Sequence, residues 1–70
     1  MKKKNVIPRK FIRITCKMLI ETSENKTGDV LHVYRNDFGL CALNTATGIY
    51  FYMFPSILRD PLLCEFLEVV

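Results

Sequence analysis

The single histidine, three cysteines and a few turn carboxylates are the groups from which this 70-residue chain would have to assemble chemistry. His32 stands between Val30 and Tyr34 in an alternating run, and no serine, cysteine or carboxylate is spaced to make it the base of a nucleophile. Cys16, Cys41 and Cys64 are odd in number and widely spaced, without a CxxC pair or a second histidine. Neither a disulfide framework nor a zinc set follows, and three reduced thiols among apolar neighbours are expected. Asp29, Asp37 and Asp60 fall in separate polar turns, where a carboxylate serves local hydrogen bonds. Gly28, Gly39 and Gly48 are isolated, so no loop cradles a phosphate. The sequence therefore predicts no enzyme, no metal and no cofactor.

Recognition is the chemistry that remains. Residues 1 to 17 carry seven bases and no acid, net +7, whereas residues 18 to 70 carry three bases against seven acids, net −4. A basic arm, 1 to 9, thus precedes an acidic body, 10 to 70, read as one domain. Lys2, Lys3, Lys4, Arg9, Lys10 and Arg13 form the candidate set for docking on a phosphate backbone, with a solubilising tail as the plainer reading. Tyr34, Tyr50 and Tyr52 offer stacking faces, but the body around them is acidic. Half of the residues are apolar, a large share for a chain this short, and the surplus favours a protein partner or self-association. No apolar leader and no membrane-length window occur, which predicts a soluble, cytoplasmic protein.

These side chains need elements to hold them. Lys10 to Ile20 alternates, with Ile12, Ile14, Cys16, Met18 and Ile20 on the inward side, and reads as a half-buried strand. Glu21 to Gly28 is a polar loop whose closing glycine supplies a positive φ. Asp29 to Arg35 is a second strand with Leu31 and Val33 on one side. The Asn36-Asp37-Phe38-Gly39 turn leads into Leu40 to Leu43, and Asn44 to Gly48 is a second hairpin loop. Gly48 to Leu58 is apolar on both faces and reads as a central strand, with Tyr50, Tyr52 and Phe54 alternating against Ile49, Phe51 and Met53. Ser56 starts a single helical turn over Ile57, Leu58 and Arg59, and Glu65 to Val70 is expected to be a last strand pairing with the first. The alternative for residues 60 to 70 is a helix, with Leu62, Leu63, Phe66, Leu67 and Val70 on one face, giving an α+β antiparallel meander.

This order of elements resembles an SH3-like barrel. Lys26-Thr27-Gly28-Asp29-Val30-Leu31 is similar to the diverging turn of that family, and Phe54-Pro55-Ser56-Ile57-Leu58 is similar to its Phe-Pro-Ser-x-Tyr segment. The resemblance implies an all-β, five-stranded SH3-like barrel with a short helical turn before the last strand. Leu58 stands where the family's groove tyrosine would be, and the chain has no tryptophan, so the resemblance does not carry the family's proline-rich ligand. A compact barrel with a lysine-rich start also resembles small phage-encoded accessory proteins.

The expected function is that of a small protein-binding module that modulates a host or partner protein and self-associates. Its contact surface is expected to comprise Tyr34, Tyr50, Tyr52 and Phe54, with Pro55 and Leu58 at the rim. The alternatives are a nucleic-acid binder using the basic arm and a small-ligand-binding oligomer.

Overall fold

The structure, a computed structural model, describes residues 3 to 70. Five strands, β1 (Ile14–Met18), β2 (Val30–Asn36), β3 (Gly39–Asn44), β4 (Tyr50–Met53) and β5 (Cys64–Val69), form one antiparallel sheet in the order β4-β3-β2-β1-β5. A short helix, α1 (Pro55–Arg59), precedes the last strand. The fold is therefore all-β, and residues 64 to 69 are strand rather than helix.

The alternation of β1 and β2 sets the core. Ile14 lies opposite Val33 and Cys16 opposite Leu31, so their β-branched and apolar side chains share one face of the sheet. With Met18, Leu40, Ala42, Met53, Leu58 and Cys64 they form a single buried cluster. Two residues expected on that inward side are exposed, Ile12 and Ile20. Both lie outside β1, Ile12 before Ile14 and Ile20 after Met18, beyond the strand whose alternation carries the buried face.

The sheet is not a closed barrel. Its order ends at β4 on one side and β5 on the other, so the expected closure is replaced by an open edge. The Gly48 to Leu58 run is correspondingly not a central strand: four of its residues form edge strand β4, and Pro55 turns the chain into α1. Proline has no N–H for a ladder and a φ suited to the first helical turn, so it ends the strand and opens the helix at one step. Leu58 then points from α1 into the core, 0% exposed.

The loop between β1 and β2 is held from below by a buried side chain. Asn44, at the end of β3, donates from Nδ2 to Asn25 Oδ1 (2.9 Å) and Asp29 Oδ2 (2.8 Å), and its Oδ1 accepts the Ala46 N–H at 2.8 Å. Thr22 Oγ1 in turn accepts the Asn25 N–H. Gly28 closes this loop at φ +93°, the left-handed geometry expected there.

The described part of the basic segment does not stand clear of the domain. Asn5 N–H donates to the Arg59 carbonyl (2.8 Å), and Asn5 Nδ2 donates to the carbonyls of Leu58 (3.1 Å) and Cys64 (2.9 Å). Ile7 packs against the core. Among the described residues no helix is long and apolar enough to cross a membrane.

Candidate protein-contact face

The strand registers decide which side chains meet on the outer face. Thr15, His32, Leu43 and Tyr50 form one cross-strand row, and Tyr34, Cys41 and Tyr52 form the next. Side chains opposite one another in such rows lie close enough to touch, so β2, β3 and β4 present a continuous, mostly apolar surface. Tyr34, Cys41 and Leu43 are half-buried within it, while Tyr50 (66%) and Tyr52 (56%) stand out at the edge.

Phe54 extends this surface beyond the strand. It is 60% exposed, and its ring centroid lies 6.3 Å from that of Tyr52 at an interplanar angle of 57°, a tilted aromatic pair. Phe38, in the β2–β3 turn, is 84% exposed and joins from the other side, with its carbonyl accepting a hydrogen bond from Tyr52 Oη. That turn requires Gly39: its φ is +131°, and a Cβ there would collide with Tyr52 Oη. Glycine thus lets the tyrosine lie flat against the hairpin.

Charge separates the two edges of the sheet. No charged residue occurs between Asp37 and Arg59, so β4 carries none, whereas β5 carries Glu65 and Glu68. These pair with Lys17 of β1, Nζ to Glu65 at 3.5 Å, and with Arg13 just before it, Nη2 to Glu68 at 2.8 Å. Inserting charges is a usual way to keep a free edge from pairing with another chain, and β4 lacks that protection.

The structure therefore brings together four of the expected contact residues, Tyr34, Tyr50, Tyr52 and Phe54. Leu58 does not belong with them, because its side chain is in the core. Pro55 is exposed but lines a different cleft, with Arg9, Arg35 and Arg59. Phe38, Cys41 and Leu43 were not among the expected residues. The uncharged stretch from Phe38 to Leu58 was a legible signal for them, as was an aromatic residue in an otherwise polar turn.

Of the candidate nucleic-acid residues, Lys3, Lys4, Arg9 and Lys10 are exposed, Arg13 is held by Glu68, and Lys2 lies outside the described residues. His32 is half-buried on the outer face. The Cys16 thiol is held well above its ordinary value, first by a hydrogen bond with Cys64 and then by burial, and Cys64 Sγ lies 3.8 Å from Met18 Sδ. A buried neutral thiol of this kind is a packing group and a poor nucleophile.

No family model matches the chain, and neither a curated protein nor a solved structure matches it.

Proposed function

We propose that this protein is a small protein-binding module whose contact surface is the outer face of β2, β3 and β4. The observation that carries the reading is an aromatic, charge-free face running to an edge strand that carries no charge of its own. Tyr50, Tyr52 and Phe54 present large rings with few rotors, so covering them buries much area at low entropic cost. The neighbouring backbone of β4 offers a template for an added strand, from a partner or from a second copy. The SH3-like architecture belongs to the same reading, supported by the order of strands and the helix before the last one; an open face replaces the family's peptide groove.

The test is binding by surface variants that keep the fold. Tyr50→Ala combined with Tyr52→Ala is expected to weaken association by about 2 kcal/mol, roughly thirtyfold, as hot-spot aromatics do. Light-scattering mass across a concentration series reads self-association, and affinity capture compares the proteins retained by the wild type and the variant. A monomer at every concentration, with the same proteins retained by both chains, overturns the reading. Far-ultraviolet circular dichroism of the variant checks that its strands remain.

The exposed Lys3, Lys4, Arg9 and Lys10 support a second reading, charge-driven binding to nucleic acid. Deleting residues 1 to 9 would also remove the Asn5 anchor, so charge reversal is the cleaner probe. Lys3→Glu with Lys4→Glu and Lys10→Glu is expected to abolish oligonucleotide binding and its salt dependence if this reading holds, and to leave capture of a protein partner intact.

A further inference from the structure

Arg9, Arg35 and Arg59 come from three separate parts of the chain and line one cleft of about 250 Å³. Its remaining walls are Ile7, Pro8, Leu40 and Pro55, and no carboxylate lines it. Among the described residues the two ion pairs are Arg13 with Glu68 and Lys17 with Glu65, so none of these three arginines is neutralised by an acid. Asp37 and Asp60 lie near Arg35 and Arg59 in sequence but not on the cleft wall. Asp60 instead accepts the Leu62 N–H through Oδ1 at 2.9 Å.

The Arg35 side chain is held in place before any ligand arrives, and the backbone of Arg59 is anchored. Arg35 donates from Nη2 to the Pro8 carbonyl at 3.2 Å, and its guanidinium carbon lies 5.3 Å from the centroid of the Phe11 ring. That uses one of its five N–H groups and leaves the rest available. The Arg59 backbone is fixed by the Asn5 N–H on its carbonyl, which ties the floor of the cleft to the N-terminal segment. A pre-placed guanidinium such as that of Arg35 lowers the ordering cost of binding an oxyanion, and the planar forks of arginine match its oxygens.

We propose that Arg9, Arg35 and Arg59 form a binding site for a phosphate monoester. Three cations facing no acid suit a group of charge close to −2, which a phosphate monoester carries at neutral pH and a single carboxylate does not. The volume is below the usual range of about 300–1,000 Å³ for whole ligands, so the site takes the phosphate group and leaves the rest of the molecule outside. The source is either a small phosphorylated metabolite or a phosphorylated side chain of a protein. The site does not depend on the aromatic face.

The experiment is a titration of the full ¹⁵N-labelled chain with inorganic phosphate at constant ionic strength, followed by amide and arginine side-chain resonances. Saturable one-to-one shifts are expected at Arg9, Arg35, Leu40 and Arg59, with weak response to acetate. Arg59→Gln is expected to weaken phosphate binding at least about tenfold, the loss of one charge-assisted contact, without unfolding the chain, since its exposed side chain takes part in neither ion pair among the described residues. Arg35→Gln loses the Pro8 bond as well and serves as the second variant. Lys26→Gln, in the β1–β2 loop and outside the cleft, controls for net charge and is expected to leave binding unchanged. Comparing phosphoserine with a phosphoserine peptide then separates the sources: tighter binding of the peptide assigns a protein ligand, and equal binding assigns a small one. Absence of saturable shifts, or an equal effect of Arg59→Gln and Lys26→Gln, overturns the proposal.

Discussion

Asn44→Ala destabilises the fold by about 2–4 kcal/mol, read as a shift of the urea midpoint without a change in slope. Asn44 is fully buried and uses both amide N–H groups and its carbonyl, joining the end of β3 to the loop of residues 22 to 29. Alanine removes these bonds and leaves the buried Asn25 Oδ1 without its donor, while Asp29 Oδ2 keeps the Lys26 N–H. The unmade bonds cost more than the made ones contributed, which is why the effect is large for a single amide. A midpoint shift worth less than about 0.5 kcal/mol would show that water replaces the side chain.

The same variant changes the response to acid. The Asp29 carboxyl is held below its ordinary value, first by the Asn44 amide and then by the Lys26 N–H. A carboxylate depressed in the folded state stabilises the fold fully above its unfolded value, and the contribution is lost as pH falls through the folded one. Asn44→Ala removes the larger of these causes. The drop in stability on acidification below the ordinary carboxylate range is therefore expected to be shallower in the variant than in the wild type.

Leu58→Ala costs about 2–5 kcal/mol, the range for emptying a fully buried leucine site. Leu58 is the buried residue of α1, a helix of five residues that has too few turns to persist without packing. A 70-residue domain has few kcal/mol to lose, so a sizeable unfolded fraction is expected at room temperature. Amide exchange should rise first at residues 55 to 64 and then at Asn5, whose side chain bonds the Leu58 and Cys64 carbonyls. An unchanged exchange pattern with a loss below about 1 kcal/mol would mean that α1 is held by something other than its leucine.

These two residues mark where sequence reading ran short. The alternation of Ile14, Cys16 and Met18 and of Leu31 and Val33 was enough to place the first two strands and their inward sides, because a period of two has one physical meaning. The turns at residues 36 to 39 and 44 to 48 were legible from their Asn, Asp and Gly content. The role of Asn44 was not: a polar residue at a loop boundary reads as solvent-exposed until the loop folds back over it. Leu58 was misplaced for a related reason, since a leucine after Pro-Ser can face either side of a one-turn helix, and the empty side of the core decides which.

The aromatic face was half legible. Tyr50, Tyr52 and Phe54 share a side by alternation, but a run apolar on both faces fits a central strand as well as an edge strand whose outer face is uncovered. Only the sheet order placed β4 at the edge, where nothing follows it. The sequence by itself determined the first three strands, the turns, the absence of charge from Phe38 to Leu58 and the imbalance between a basic start and an acidic remainder, all of which are local properties of the chain. The tertiary structure alone decided the open edge, the burial of Leu58, the Asn44 network and the meeting of Arg9, Arg35 and Arg59. Each of these depends on residues far apart in sequence, and no local pattern records which distant segment comes to lie beside which.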